Sequence, residues 1–223
     1  MSHPIRIAPS LLAADFARLG DECQSVESAG ADWLHLDVMD GHFVPNLTFG
    51  PVVVDAIHKR AARPLDVHLM ITDPWRYCDP FLDAGSDWLT FHVEVDDRGD
   101  ANALIERIQA RSCKAGMSLQ PDTDVERLRP YLGKLDLVLV MSVFAGFGGQ
   151  KFRPEVLAKV TALRQMGFLG EISMDGGIGL QTIAQAAAVG TNVFVAGTAV
   201  FGAPDRKARI AELRALATAS RPS

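Results

Sequence analysis

Eight short apolar runs rich in β-branched residues recur along the chain, and longer stretches with helical spacing lie between them. The runs are Ile5–Ala8, Trp33–Val38, Leu65–Met70, Trp88–His92, Lys114–Leu119, Leu135–Met141, Glu171–Met174 and Asn192–Ala196. Segments such as Phe16–Ala29, Asn102–Ala110, Pro154–Met166 and Leu180–Val189 carry apolar residues at the spacing of one helix face. Alternation of this kind predicts βαβ units and a parallel sheet. Eight units in 223 residues give roughly 28 residues each, the repeat of a compact (β/α)8 barrel. A doubly wound open sheet is the competing fold, and it would carry a Gly-rich turn after its first strand. The first strand here ends in "APSLLAADF", without glycine, and the Gly-rich loops follow the sixth, seventh and eighth runs. No low-complexity linker interrupts the series. Residues 1–223 therefore read as one α/β domain, a single (β/α)8 TIM barrel.

Charge narrows the partners. The formal net charge is −5, and no Lys/Arg cluster stands out, which argues against nucleic acid and anionic membranes. Backbone N–H groups can still bind an anionic metabolite locally. Cys23, Cys78 and Cys113 are scattered and odd in number, as expected of reduced thiols in an intracellular protein. The start "MSHPIRIAPS" lacks the apolar core of a signal peptide, and no apolar run reaches the ~18 residues of a membrane span. The expectation is a soluble, cytosolic protein.

In a barrel, chemistry collects at the C-terminal ends of the strands. Those ends present Ser10, then His35, Asp37 and Met39, then His68 and Met70, then Met141, Asp175, Gly197 and Thr198. Side chains alternate along a strand, so His35, Asp37 and Met39 share one face, as do His68 and Met70. Polar groups there would be costly in a dry interior unless bonded or ligated. His35, Asp37, His68 and Asp175, converging from three strands, make a candidate divalent metal site. Imidazole with carboxylate suits zinc, iron, manganese or cobalt and does not choose among them.

Glycine forms a second pattern. "GFGGQ" at 146–150, "DGGIG" at 175–179 and "AGTAVF" at 196–201 each follow a strand and precede a helix. The loops after the seventh and eighth strands of a barrel often hold phosphate, because glycine lets backbone N–H groups approach an anion. Met39, Met70 and Met141 are either core filler or an apolar floor beneath a substrate. His3, His42 and His58 read as surface residues, "EVDDRGD" at 94–100 as a solvated loop, and His92 has no evident role.

"IAPSLLAADF", "HLDVMDGHFVPNLTFGP", "LDVHLMI", "VMSV" with "GFGGQKF", "MDGGI" and "VAGTAVF" stand in the order and spacing of one family. Through about residue 202, the chain resembles ribulose-phosphate 3-epimerase. The resemblance implies a barrel of the ribulose-phosphate-binding type that interconverts D-ribulose 5-phosphate and D-xylulose 5-phosphate at carbon 3. It implies one divalent metal on His35, Asp37, His68 and Asp175, with Asp37 and Asp175 doubling as the acid/base pair around a metal-stabilised enediolate. Ser10 and His68 would touch the sugar. Gly146, Phe147, Gly148 and Gly149, Gly176 and Gly177, and Gly197 and Thr198 would hold the phosphate end. Met39, Met70 and Met141 would line the reacting face. A homo-oligomer is also implied.

The chain departs from the family in the lid after the sixth strand. Phe144-Ala145 stands where Asn-Pro is usual, which removes the asparagine's polar contacts and proline's backbone restriction. Gln120-Pro121 stands where Asn-Pro is common, and Thr198 where serine is more usual. An epimerase of a related ketose phosphate such as D-allulose 6-phosphate is the nearest alternative, and a catalytically silent phosphosugar-binding barrel is another. An aldolase or decarboxylase would call for a lysine at a strand end, and the strand runs offer only Lys114, at a strand start.

Overall fold

The computed structural model describes residues 3–221. Eight parallel strands form one sheet, β1 (Arg6–Pro9), β2 (Leu34–Met39), β3 (Leu65–Met70), β4 (Trp88–His92), β5 (Lys114–Leu119), β6 (Leu137–Met141), β7 (Glu171–Asp175) and β8 (Val193–Ala196). Each strand pairs with its neighbour in sequence from β2 to β8, and β8 pairs with β1. A parallel bridge between Ser10 and His35 joins β1 to β2 and brings the sheet round to a barrel. The expected (β/α)8 architecture is the one observed. Every predicted strand is present, with ends shifted by two residues at most.

Among the described residues, eight α-helices accompany the strands: α1 (Leu19–Ser28), α2 (Pro51–His58), α3 (Pro74–Asp83), α4 (Ala101–Ala110), α5 (Leu157–Gln165), α6 (Ile183–Ala188), α7 (Thr198–Phe201) and α8 (Arg206–Ala219). Their starts are written in the sequence. Asp73, Asp100 and Asp205 each accept a hydrogen bond from a backbone N–H in the first turn of α3, α4 and α8, and Pro74 sits at the first position of α3. Among the described residues, the connection from β5 to β6 has only a 3-10 turn at Val125–Leu128.

Alternation along the strands sorts the core into two layers. Ile7, Leu34, Leu36, Val67, Phe91, Val140 and Phe194 face outward and join the large cluster beneath the helices. Ala8, Trp33, Leu137, Leu139, Val193 and Val195 form a separate cluster inside the barrel. Trp33 and Trp88 meet there with ring centroids 4.6 Å apart. Polar residues also occupy the interior: Asp66, Thr90, Ser118 and Ser173 are all buried. Gly116 lies beside Thr90 in register, and a Cβ on it would come within 2.2 Å of Thr90 Oγ1.

That contact gives a stability prediction. Gly116→Ala should destabilise the chain by about 1–3 kcal/mol through overpacking. In Thr90→Ala the colliding hydroxyl is gone, so the same glycine substitution should cost clearly less. Urea unfolding of the two single variants and the double variant tests this, and strictly additive effects would contradict it.

Candidate active site

The site begins with strand register. β2 and β3 pair so that His35 stands beside Asp66, Asp37 beside His68 and Met39 beside Met70. His35 Nδ1 is 2.7 Å from Asp66 Oδ2, and its Nε2 lies 3.3 Å from Asp37 Oδ1. His68 Nδ1 is 3.6 Å from the same Asp37 oxygen. The Ser10 hydroxyl donates to Asp37 Oδ2 at 2.5 Å. Asp175 comes from the end of β7, beside Met141 of β6. One ligand atom from each of His35, Asp37, His68 and Asp175 lies within 4.8 Å of the other three.

This cluster fits a divalent cation. His35 Nε2 and His68 Nδ1 are buried and have no hydrogen-bond partner. A buried polar nitrogen left unpaired costs about 1–3 kcal/mol, yet here two of them converge on two carboxylates. Two imidazole nitrogens with two carboxylate oxygens are a donor set for zinc, iron, manganese or cobalt. The partner of His35 Nδ1, Asp66, orients the ring so that Nε2 faces the cluster.

Electrostatics pull the proton affinities of the two carboxyls apart. Burial, reinforced by the charge of Asp37, raises Asp175 to about 7. Burial acts on Asp37 too, but the imidazoles of His35 and His68 outweigh it and hold that carboxyl well below the usual range. Desolvation opposes charge on His35, and Asp37 and Asp66 overcome it, lifting His35 well above an ordinary histidine. Burial lowers His68 to about 4.

A cavity of about 670 Å³ opens on the cluster. Of the residues that sequence reading assigned to substrate, all but His68 line it: Ser10, Met39, Met70, Met141, Gly146, Phe147, Gly148, Gly149, Gly176, Gly177, Gly197 and Thr198. Asp37 and Asp175 line it as well, whereas His35 and His68 are fully buried behind it. The three methionines are buried, and Met39 and Met70 pack with Val44. Gly176 and Gly177 have φ of +117° and +63°. A Cβ on either would collide with backbone nitrogen, Val143 N at 2.8 Å or Phe152 N at 2.6 Å. Only glycine suits both positions.

The stretch after Asp37 does not extend the cluster. Asp40 accepts from the backbone N–H groups of His42, Phe43 and Thr72, so it organises the turn. His42 is exposed. The three cysteines are free, buried thiols, raised by burial to about 12, 11 and 12 in chain order.

One reading of the sequence needs correction. The run at 94–100 is solvated only in its latter part, because Glu94 turns inward and its Oε2 lies 2.8 Å from His92 Nδ1. The lid that carries Phe144-Ala145 has polar contacts of its own. Ala145 N–H donates to Gln120 Oε1 at 3.0 Å, Asn46 Nδ2 to Gly146 O at 2.9 Å, and Gln150 Nε2 to Phe144 O at 2.7 Å. A proline at 145 would delete the first of these bonds. Sequence reading also passed over Asp66, although the alternation Asp66, His68, Met70 repeats that of His35, Asp37, Met39.

Residues 6–201 match the model of the ribulose-phosphate 3-epimerase family. The chain belongs to that family. It is 50% identical over 218 residues to the ribulose-phosphate 3-epimerase of Mycobacterium tuberculosis (strain ATCC 25618 / H37Rv), covering 96% of this chain and 93% of that one. To the ribulose-phosphate 3-epimerase of Synechocystis sp. (strain ATCC 27184 / PCC 6803 / Kazusa) it is 47% identical, covering 96% and 95%. Among solved structures, 3-hexulose-6-phosphate synthase from Salmonella typhimurium superposes with a TM-score of 0.75 at 17% identity, covering 97% of this chain and 100% of that one. That likeness shows a shared fold. No described helix of this epimerase-family chain is long and apolar enough to cross a membrane.

The electrostatics predict how a cation would bind. It must displace the protons held by Asp175, at about 7, and by His35, which is raised well above an ordinary histidine. Both pKa values are raised, so both groups are more fully protonated as pH falls, and cation affinity should weaken as pH drops, with Asp175 contributing from about 7 downward. Calorimetry in two buffers of different ionisation enthalpy should show protons released per ion bound, fewer in Asp175→Asn. Binding without proton release would contradict this electrostatic reading.

Proposed function

We propose that the chain interconverts D-ribulose 5-phosphate and D-xylulose 5-phosphate by inverting carbon 3, with Asp37 and Asp175 as the proton-transfer pair. The single observation that carries this reading is the pair itself. Two carboxyls from different strands, Asp37 of β2 and Asp175 of β7, face one cavity beside the cluster that fits a divalent cation. Inversion next to a carbonyl needs a base ready to accept a proton and an acid ready to deliver one. The names of the relatives agree with the substrate assignment.

Each side chain then has a task. Asp37, steadied by Ser10, takes the proton from carbon 3 of D-ribulose 5-phosphate, and Asp175 returns one to the opposite face. The roles reverse for D-xylulose 5-phosphate, and the two groups titrate as a unit. His35, Asp37, His68 and Asp175 would hold one divalent ion, which supplies Lewis-acid stabilisation of the negative charge that forms on the substrate oxygens. Met39, Met70 and Met141 present apolar surface to the reacting carbons and keep water from competing for the proton. The loops at 146–149, 176–177 and 197–198 take the phosphate end, where glycine permits close backbone approach.

Isotope incorporation tests the pair. Product formed in deuterated water should carry deuterium at carbon 3, while substrate recovered at low conversion stays nearly unlabelled. A single base serving both faces would label both epimers alike. Asp175→Asn, verified to hold metal, should lose epimerisation by at least the ~10²–10⁴-fold that acid–base help supplies. It should still exchange the C3 proton of D-ribulose 5-phosphate through Asp37. Near-normal epimerisation by that variant would exclude the mechanism.

A further inference from the structure

His92, which sequence reading left without a role, stands between His68 and a carboxylate. His68 Nε2 is 2.9 Å from His92 Nε2, and His92 Nδ1 is 2.8 Å from Glu94 Oε2. The second Glu94 oxygen, Oε1, accepts the Gln120 N–H at 2.8 Å and the Thr123 hydroxyl. Lys159 Nζ donates to the carbonyls of Gln120 and Thr123 at 2.8 and 2.6 Å, fixing that loop from the other side. The Gln120 side chain then reaches the lid, accepting the Ala145 N–H at 3.0 Å.

The direction of every bond in this series follows from its two ends. A neutral imidazole carries one proton. For His68 Nδ1 to offer a lone pair to a cation, its proton must be on Nε2. That N–H donates to His92 Nε2, so the proton of His92 is on Nδ1 and donates to Glu94. A carboxylate is the one side-chain group that accepts at both oxygens, from His92 on one and from Gln120 and Thr123 on the other. Fixing a ligand's tautomer and ring angle through its outer nitrogen is a common way of setting metal affinity. The His92 ring is also held by Phe43, centroids 4.5 Å apart.

We infer that Glu94 is a positioning residue that ties His68 to the lid, with His92 on one carboxylate oxygen and Gln120 on the other. The inference rests on the proposed role of His68 as a ligand through Nδ1. Ligand orientation and the anchoring of Ala145 share one half-buried carboxylate, so disturbing Glu94 disturbs both ends. Disturbing the Gln120 side chain disturbs only the lid, because the Gln120 backbone N–H still holds Glu94.

Two readouts separate this from a merely structural loop anchor. Cobalt(II) affinity, followed by visible absorption, reports the ligand end. Chymotrypsin cleavage after Phe144 or Phe147, which are 42% and 54% exposed, reports the lid. Glu94→Gln puts an amide donor where an acceptor is needed. It should weaken cobalt(II) binding about 10–100-fold and raise lid cleavage several-fold. Gln120→Ala should raise lid cleavage to a similar degree and leave cobalt(II) affinity within about twofold of the parent. The double variant should be cut no faster than the faster single variant. Should Glu94→Gln fold poorly, Thr123→Val, which removes one bond to the same carboxylate, should move both readouts in the same directions by a smaller factor. Cobalt(II) affinity unchanged in a folded Glu94 or Thr123 variant would overturn the inference. A parent chain that binds no cobalt(II) would overturn the metal reading, and the inference with it.

Discussion

The in-register pairing of β2 with β3 is the constraint on which the rest of the site depends. It sets His35 against Asp66 and Asp37 against His68, so each imidazole meets a carboxylate before any ion is bound. Strand side chains alternate with period two, so a slip of one residue would send Leu36 and Val38 into the barrel and Asp37 under the helices. The outward row of Leu34, Leu36, Val38, Leu65, Val67 and Leu69 blocks that slip, because all six are buried in the layer beneath the helices. Apolar burial on one face thus fixes the chemistry on the other.

What the register assembles is unfavourable by itself. His35, Asp37 and His68 are buried side by side, and two ring nitrogens lack partners. Outer contacts from Ser10, Asp66 and His92 satisfy some of these groups and leave the unpartnered atoms pointing at one another. Such a cluster costs stability in the empty state and gives it back when a cation neutralises the carboxylates and uses the lone pairs. The same crowding separates the two carboxyls, since Asp37 has the imidazoles close by and Asp175 has burial and the Asp37 charge against it.

Much of this could be read from the sequence. The strands were legible because each is an apolar run with flanking turn chemistry, and His35, Asp37, His68 and Asp175 because they interrupt those runs at one end. The connection after β5 was less legible. Helical spacing says little there, and Lys159 and Glu94 shape that loop from distant positions. Glu94 was misread because a carboxylate within "EVDDRGD" looks like its solvated neighbours. Its inward turn depends on His92, a contact between residues two apart at the strand end that propensity does not reveal. The lid showed the same limitation. Phe144-Ala145 shows in the sequence what Asn-Pro would have supplied, and not that the N–H of alanine is bound by Gln120, 25 residues earlier.

The central claim is that one divalent ion on these four side chains is required for epimerisation. Elemental analysis of the purified chain, combined with a coupled assay on D-ribulose 5-phosphate during chelation and stepwise metal return, tests it most directly. The account predicts that activity falls to background in the metal-free chain and returns in proportion to added ion, saturating at one per chain, with the fold retained throughout. Full turnover by a chain shown to be free of metal would contradict it.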